Sequence, residues 1–520
     1  VRHAGGISFG YSKSEREMQA MQTLRRLHPR YEADVMNFVA RDPARTARLT
    51  LDIVRITAAG HPVILNVIHN REGGTLRHIQ EVAEKLGQQA IFLRLTPAPG
   101  GVILRLEGEH EAFALHFGMP QEQSGLVNAL RLLQVGHIHF HHLLGHEASI
   151  VDLPGKLGVS HDFTAHDFFS YCPQISLTDH TDRYCGEQGL YQCRQCLQRH
   201  PAPGGVGIEQ WRDQHAQLIN EARYVIAPSQ DTALRLARFA PNANVLVVPH
   251  SELDTLVPSY PEPKPARLDR QKCLKIAVLG ALSKIKGADV LEEVATLAAQ
   301  RGLLIDFHLI GYAYRSLRTQ PKARLTVHGA YDDKDLMKLL QWLQPDAIWF
   351  PAVWPETYSY TLSASLDSGL PIIAPDIGAF AERLQNRPWT WQCDWQQTPG
   401  QWTDFFENIR DHHFCSGIGP ASASQIPARE WSNGQTFSYR ESYLQSLPRP
   451  SEPNAQDIKN IQQQLTPNLH WLDVNNTPGN ILKSSTLRTI ARLRATAAFS
   501  PLARLVPTHL QRRVKSWLGK

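Results

Sequence analysis

Apolar runs alternate with helix-periodic segments along most of this chain. The run VILNVIH at 63–69 is mostly apolar and ends in a polar, glycine-bearing turn, which is typical of a buried parallel strand. Ile79, Val82 and Leu86 then recur on one face of a helix. The alternation continues through AIFLRLT (90–96), HIHFHHL (137–143), YVIAPS (224–229) and VLVVP (245–249). Strands separated by such helices predict parallel βαβ units with right-handed crossovers.

A second series of the same kind begins after the proline-bearing segment 259–272, which predicts an interdomain linker. Its expected strands are LKIAVLG (274–280), IDFHLIG (305–311), RLTVHG (324–329), AIWFPA (347–352) and PIIAP (371–375). Two doubly wound sheets in one chain predict an α/β fold with two Rossmann-like domains. Because ligands of such sheets lie beyond the carboxyl ends of the strands, we expect the domains to face a shared cleft.

These patterns divide the chain into six parts. A partly helical N-terminal segment precedes the first Rossmann-like domain, the linker and the second Rossmann-like domain. A helix that returns to the first domain and a basic helical tail follow. The expected bounds are 1–61, 62–258, 259–272, 273–430, 431–453 and 454–520. A length of 520 residues agrees with several domains, because it exceeds what a single core holds.

Composition excludes several classes of protein. Hydrophobic residues make up 42% of the chain and charged residues 20%, as in globular rather than disordered proteins. No apolar run approaches the roughly 18 to 20 residues that span a bilayer. The start, Val1 to Gly6, has neither an initiator methionine nor a signal peptide, so we expect a piece of a longer polypeptide with further domains. Seven cysteines, an odd number, argue against a disulfide framework and favour the cytoplasm.

Positive charge is concentrated at the C-terminal end. The net charge is +5, yet residues 482–520 alone contain nine lysines and arginines and no acidic residue. Leucine, isoleucine, valine and Trp517 are interleaved with these cations, as in a basic amphipathic helix on an anionic membrane surface. No recognition motif for nucleic acid accompanies them. We expect peripheral association with the inner face of the cell membrane; a solvated helix or a contact with a neighbouring domain are the alternatives.

The segment WPETYSYTLS (354–363) has the character of an anion site. Glu356 lies between a strand end and a helix start, and Thr357 is the expected N-cap. Free N–H groups and the helix dipole at this point would hold a diphosphate without a metal ion, and the Glu356 carboxylate would accept hydrogen bonds from sugar hydroxyls. A capped helix with an exposed glutamate is the alternative.

Two further loops carry candidate binding residues. GALSKIKGADVL places Lys286 and Gly287 after the first strand of the second domain, where an ammonium can neutralise phosphate charge. NREGGTLRH places Gly73 and Gly74 at a strand-to-helix turn, where glycine allows a substrate to approach the main chain. A surface lysine and an ordinary glycine turn are the alternatives.

Five motifs occur in an order that resembles the retaining, family-4-type GT-B glycosyltransferases, over about residues 62 to 385. They are GGTLRH, HDFFSYCP, GALSKIKGADVL, WPETYSYTLS and SGLPIIAPDIGAF. More narrowly, it is similar to those of bacterial O-antigen and capsule synthesis. The resemblance implies a metal-independent enzyme with the GT-B fold that moves a sugar from a nucleotide-sugar donor to a glycan or lipid-linked glycan acceptor. It also implies roles at the donor phosphates or sugar for Gly73, Gly74, His166, Lys286, Glu356, Thr357, Tyr358 and Ser359.

This sequence departs from the family pattern at two positions. The family usually has a second glutamate eight residues after the first, where it holds the nucleotide ribose, and here that residue is Ala364. The basic residue that often precedes the Lys-Gly loop is replaced by Ala281. A non-catalytic sugar-nucleotide-binding scaffold is therefore the alternative function. An epimerase would need acid and base carboxylates that the sequence does not identify.

Four cysteines follow the His166 strand. Cys172, Cys185, Cys193 and Cys196 have the spacing C-x12-C-x7-C-x2-C, and the last pair is a usual zinc-ligand pair. The loop between them has little apolar content with which to fold on its own. We expect a structural zinc ion here and no cofactor in catalysis; four reduced thiols are the alternative.

Overall fold

The computed structural model describes residues 13–31, 34–35, 38, 44–108, 113–179, 181–250, 259–420, 434–435 and 437–465. Two separate sheets, one of eight strands and one of six, organise residues 60–450. The expected α/β fold of two Rossmann-like domains is therefore confirmed.

The first sheet has the order β4-β3-β2-β1-β5-β6-β7-β8. Its strands are β1 Val63–Val67, β2 Ile91–Ala98, β3 Gly101–Leu106, β4 Ala114–Gly118, β5 Val135–Phe140, β6 Ser160–Thr164, β7 Val225–Ala227 and β8 Val245–Val247. All pairs are parallel except β2–β3 and β3–β4, which are antiparallel and extend the sheet at one edge. Its helices are Gly74–Leu86, Gln123–Leu132, Leu153–Leu157, Leu190–Arg199, Ile208–Asn220 and Gln230–Phe239, with short 3-10 turns at Ala148–Asp152 and Pro203–Gly205.

The second sheet is parallel throughout, with the order β11-β10-β9-β12-β13-β14. Its strands are β9 Leu274–Leu282, β10 Ile305–Ala313, β11 Leu325–Val327, β12 Ala347–Trp349, β13 Ile372–Pro375 and β14 Thr390–Cys393. Its helices are Ala288–Gln300, Leu336–Leu343, Tyr360–Asp367, Ala379–Arg383 and Pro399–Ile409, with short turns at Asp333–Asp335 and Arg410–Phe414.

Side chains of β9 separate the two cores of the second domain. Leu274, Ile276 and Val278 pack on one face of the sheet, whereas Ala277 and Leu279 pack on the other. This is the period of two that a strand buried on both faces requires. The direction in which successive strands are added to the sheet reverses between β9 and β12, as it does between β1 and β5 in the first sheet. Both sheets therefore open a crevice at the carboxyl ends of these central strands.

A late segment of the chain returns to the first domain. Among the described residues of the expected return helix, only Tyr439–Tyr443 is helical, as a single wide turn. Tyr439, Tyr443 and Leu447 are buried against Ile64 and other apolar residues of the first sheet. Aromatic burial, rather than a long helix, therefore attaches this segment.

The described residues before 60 form a separate unit with residues 451–465. It contains the helices Lys13–Leu27, Arg45–Ala58 and Ala455–Leu465, of which the last two pack together. The basic stretch 482–520 lies outside the described residues, so its expected helix and membrane contact are untested. Within the described part of the chain, no helix combines the length and apolarity needed to cross a bilayer.

Candidate functional site

Lys286 and Glu356 come together at the carboxyl edge of the second sheet. Lys286 follows β9 and Glu356 follows β12, and the Nζ–Oε1 distance between them is 3.6 Å. The indole N–H of Trp354 donates to the same carboxylate oxygen over 3.1 Å. The Glu356 side chain is only 10% exposed, whereas Lys286 reaches solvent. A half-exposed cation is thus held beside a sheltered carboxylate.

Two glycines allow the loops to approach this closely. Gly287 has φ +84°, and a Cβ there would lie 1.9 Å from the carbonyl oxygen of Pro351. Gly378 has φ +64°, and a Cβ there would lie 2.6 Å from the carbonyl oxygen of Glu356. That same oxygen accepts a hydrogen bond from the Ala379 N–H over 2.7 Å. Only glycine fits at these contacts, so the KG and DIG motifs position the Glu356 backbone.

The expected cap at Thr357 is wrong. The helix begins at Tyr360, and its N-cap is Ser359, whose hydroxyl accepts from the Leu362 N–H. The physical reason is that Ser359 has φ +68°, so the backbone turns there instead of continuing as a helix from Thr357. The Thr357 hydroxyl instead donates to the carbonyl oxygen of His166 over 2.6 Å. Thr357 therefore links the two Rossmann-like domains.

An arginine that the sequence analysis missed stabilises the same turn. Arg383 donates to the carbonyl oxygens of Tyr358 and Ser359 over 2.8 and 3.1 Å. Its guanidinium also lies 4.3 Å from the centre of the Tyr358 ring. A residue 25 positions away thus holds the strained turn before the helix.

The glycine turn of the first domain faces this helix start. Gly73 has φ +134°, and a Cβ on Gly74 would lie 3.4 Å from the Tyr360 ring. One turn further, the Arg77 guanidinium lies 4.3 Å from the centre of the same ring and pairs with Asp333 at 2.8 Å. The predicted donor-binding glycines therefore lie directly opposite the predicted donor-binding segment 357–359.

Four histidines of the first domain lie together where it meets the second domain. They are here called the histidine wall: His78, His141, His166 and His250. His166 follows β6 and shares a hydrogen bond of 3.0 Å with His141. The His78 and His250 rings lie 5.4 and 4.9 Å from its ring. Burial, reinforced at His141, His166 and His250 by the neighbouring histidines, lowers the pKa of every member. At neutral pH these rings are therefore uncharged.

The family resemblance indicates His166 but neither His78 nor His250. His250 follows β8 and packs its ring 5.0 Å from Tyr358, so it contacts the second domain. With 24 histidines in the chain, no linear spacing distinguishes these two from the rest. The histidines 137, 139, 141 and 142, on β5 and just after it, are all buried.

A carboxylate fixes the segment after His166. Asp167 pairs with His142 at 2.8 Å and accepts from the Phe169 N–H over 2.9 Å. Burial alone would raise the pKa of Asp167, but His142 and the backbone hydrogen bond lower it below its usual value. Asp167 is therefore ionised and orients the loop that carries His166.

A second carboxylate joins the domains at the N-terminus of a helix. Glu382 accepts from the N–H groups of Gln230 and Asp231 over 3.0 and 2.9 Å, at the start of the helix Gln230–Phe239. Burial raises the pKa of Glu382 to about 7, against the lowering effect of these two hydrogen bonds. The sequence analysis did not identify this contact.

The four cysteines after β6 are free thiols, each partly buried. Among the described residues, no group of three or more histidines, cysteines or carboxylates already has the geometry of a metal site. The expected zinc site therefore stays a prediction.

No protein-family model matches the sequence, and no curated protein is similar to it. Similar solved structures include Anabaena HepE in complex with UDP and glucose, at 13% identity and TM-score 0.42, covering 79% of this chain and 100% of that chain. Sucrose-phosphate synthase from Thermosynechococcus elongatus is 13% identical with TM-score 0.42, covering 68% and 90%. The pneumococcal O-GlcNAc transferase GtfA in complex with UDP and GlcNAc is 9% identical with TM-score 0.42, covering 69% and 94%. At these values, function has to be argued from the residues of this chain.

Proposed function

We propose that this chain is a retaining glycosyltransferase that moves a sugar from a nucleotide-sugar donor onto a growing cell-surface polysaccharide such as O-antigen or capsule. One observation carries the proposal. Lys286 and Glu356, from two different loops, meet 3.6 Å apart at the carboxyl edge of one sheet. The next residue, Thr357, is bonded to His166 of the other domain. We infer that this cation, this carboxylate and the nearby His166 imidazole would border the cleft expected between the two Rossmann-like domains.

The donor diphosphate fits the cation side of this cleft. The Lys286 ammonium would neutralise phosphate charge, and a bound diphosphate would compete with Glu356 for it. The N-terminus of the helix Tyr360–Asp367 adds a partial positive charge and N–H donors nearby. Together they would stabilise the charge of the departing nucleoside diphosphate without a catalytic metal ion.

The transferred sugar fits between Glu356 and His166. The Glu356 carboxylate can accept hydrogen bonds from two hydroxyl groups at once. The His166 imidazole, uncharged because its pKa is lowered by burial and by its histidine neighbours, can donate or accept without repelling a cationic transition state. Holding the donor and the acceptor hydroxyl in reacting geometry would supply much of the rate enhancement.

A non-catalytic scaffold is the second candidate, and Ala364 favours it. This residue lies on the helix Tyr360–Asp367, where the resembled family places its ribose-binding glutamate. The loss of such a contact weakens donor binding by about 1 to 3 kcal/mol. Weak binding alone does not prevent chemistry, so the enzyme remains the preferred function.

A panel of nucleotide sugars tests the proposal. Release of nucleoside diphosphate is measured with UDP-, GDP-, ADP- and dTDP-sugars, with and without glycan acceptors, and in the presence of a chelator. We expect chelator-resistant turnover with one donor class, and a product whose anomeric configuration by NMR matches the donor. Donor binding without hydrolysis or transfer would instead identify the scaffold. Inversion of the anomeric carbon would contradict the retaining mechanism.

A further inference from the structure

A buried amide interrupts the apolar strand β1. Asn66 is only 2% exposed, in a strand of which every residue is buried. An amide in such a place costs free energy unless it is hydrogen-bonded. Its Oδ1 atom lies 3.3 Å from Nε2 of His141, which is also buried. Asn66 is therefore bonded to a member of the histidine wall.

This contact continues to the candidate site. Asn66, His141 and His166 lie at the carboxyl ends of β1, β5 and β6, which are neighbours in the first sheet. Nδ1 of His141 lies 3.0 Å from Nε2 of His166. These three residues, here called the amide–imidazole chain, thus connect the interior of the first sheet to the candidate site.

The order of the atoms in the amide–imidazole chain fixes where the hydrogens lie. Both rings are uncharged near neutral pH, because burial and the neighbouring histidines lower their pKa values. A neutral imidazole has one N–H group, and the partner of one nitrogen decides which nitrogen carries it. The Asn66 carbonyl oxygen can only accept, so Nε2 of His141 carries the hydrogen and Nδ1 of His141 has the lone pair. That lone pair accepts from the N–H at Nε2 of His166, which leaves the lone pair of His166 on Nδ1.

The free nitrogen of His166 is accessible to a ligand. His166 is partly exposed, and within the described part of the chain its Nδ1 has no hydrogen-bond partner and is not sealed from solvent. By contrast, the unpaired Nδ1 atoms of His78 and His250 are fully buried. The Thr357 hydroxyl, which donates to the His166 carbonyl oxygen, holds the same residue at the domain interface. A ligand at this interface can therefore reach the His166 lone pair.

We propose that Asn66 and His141 fix the tautomer of His166, so that Nδ1 of His166 accepts a hydrogen bond from a hydroxyl group of the sugar substrate. Asn66 and His141 are then positioning residues, because they act on the substrate only through His166. The tautomer follows from the contacts of this chain alone, whereas the sugar as ligand rests on the proposed glycosyltransferase function. A fixed lone pair selects a hydroxyl group and rejects an analogue that lacks one at that position.

Proton–nitrogen correlation spectra of the full chain, with isotopically labelled histidine, test the tautomer without any substrate. We expect the hydrogen on Nε2 of both rings, with the two signals assigned by their loss in His141→Asn and His166→Asn. Asn66→Leu removes the acceptor at one end and should change the tautomer populations of both rings. Thr164→Val, which removes a similar hydrogen bond of 2.8 Å from the neighbouring His139, is the matched control and should leave them unchanged. A hydrogen on Nδ1 of His166 in the wild-type chain would overturn the proposal.

Transfer kinetics test the role in substrate binding. Asn66→Leu and His141→Leu should each lower kcat/KM at least about tenfold, because a nitrogen that carries a hydrogen cannot accept from the hydroxyl group. His141→Asn should retain most of the activity, since its amide oxygen lies about where Nδ1 was and can accept from His166. Thr164→Val should stay near wild type. Equal losses in His141→Leu and His141→Asn, with melting temperatures near wild type, would contradict the positioning role.

Sugar analogues test the direction of the hydrogen bond. Deoxy and deoxyfluoro forms of the active donor and acceptor replace one hydroxyl group at a time. Fluorine cannot donate, so at one position both analogues should lower kcat/KM about tenfold in the wild-type chain. The same analogues should lose much less in His141→Leu, because the interaction is already absent there. Full activity with every deoxyfluoro sugar would show that no hydroxyl group donates to His166.

Failure of the proposed function can be told apart from failure of the tautomer. Absence of turnover with every nucleotide sugar would contradict the proposed function and, with it, the hydroxyl ligand, whereas the spectra would still decide the tautomer. If a leucine variant does not fold, the spectrum of the wild-type chain decides the tautomer alone.

Discussion

The two sides of the cleft use opposite chemistry. The first-domain side is the histidine wall, whose rings are packed together and uncharged because their pKa values are lowered. The second-domain side presents Lys286 and Glu356 on loops that Gly287 and Gly378 bring together. Under the proposed function, an anionic donor would therefore be recognised from one side, and neutral hydrogen-bonding groups would face the sugar from the other.

The difference also separates two ways of building a site. The charged side depends on loops after β9, β12 and β13, where a single added Cβ would clash with backbone. The neutral side depends on buried rings, three at strand ends and His78 on the helix Gly74–Leu86, and His141 shares a hydrogen bond with His166. The charged side should therefore be sensitive to changes in charge and glycine, and the neutral side to pH.

The largest expected effect is a loss of folding stability at acidic pH, caused by the buried, uncharged histidines of the first domain. Burial lowers the pKa of His78 to about 3 and that of His146, which lies after β5 in the same domain, to about 4. Between pH 6.5 and these pKa values, the unfolded chain binds protons at these histidines and the folded chain does not. The free energy of unfolding therefore falls as the pH falls. At pH 5 each of the two contributes a loss of about 2 kcal/mol. Glu382 acts in the opposite direction over part of this range but is a single group.

Urea midpoints at pH 7.5, 6 and 5 measure this effect. His78→Gln should reduce the dependence of the urea midpoint on pH, whereas His200→Gln, at the surface, should leave that dependence unchanged. A midpoint independent of pH between 7.5 and 5 would show that the wall is not held neutral.

The second expected effect concerns the charged side. Lys286→Ala and Glu356→Gln should each reduce kcat/KM for transfer at least about a hundredfold, the scale of losing one stabilising contact to developing charge. Melting temperatures should stay near wild type, because neither change alters the glycine contacts. Lys322→Ala and Glu293→Gln, exposed in the same domain, are the controls. Near-normal transfer by either site variant would remove that residue from the donor site.

A smaller effect is expected where the two sides meet. Thr357→Val removes the hydroxyl that donates to the His166 carbonyl oxygen while keeping the side-chain shape. One such hydrogen bond contributes about 1 kcal/mol, which corresponds to roughly a fivefold lower kcat/KM. Thr357→Ser, which keeps the hydroxyl, should restore most of the activity. If the valine and serine variants behave alike, the hydroxyl does not align the two sides.

The tail should have no effect on the cleft itself. Removing residues 482–520 should abolish cosedimentation with anionic vesicles at low salt, because each lysine or arginine near such a surface contributes about 1 kcal/mol. Transfer to a soluble acceptor should be unchanged. Equal vesicle binding by the truncated chain would favour the neighbouring-domain alternative.

The fold was readable from the sequence because its strands are long apolar runs with a clear period. The β9 residues alternate between two cores as the pattern LKIAVLG indicates. The position of Lys286 and Glu356 at one edge of the second sheet was also predictable, since the carboxyl ends of neighbouring parallel strands such as β9 and β12 must lie at one edge.

Other parts of the site were not readable, for reasons of geometry. The N-cap is Ser359 and not the expected Thr357, because Arg383 and a positive φ at Ser359 stabilise an extra turn before the helix. Neither feature leaves a local signal in the sequence. His250 and Glu382 reach the interface from elements far apart in the sequence. Long-range contacts of this kind arise only once both sheets are folded.

The contact of Glu382 with the helix Gln230–Phe239 has a consequence for how the domains move. If the domains separate, this carboxyl group returns to water and to an ordinary pKa near 4.5, whereas in contact its pKa is about 7. Between these values, closure takes up a proton and opening releases one. The enthalpy of ligand-induced closure, measured by calorimetry near pH 6, should then vary with the ionisation enthalpy of the buffer. Glu382→Gln should abolish that variation.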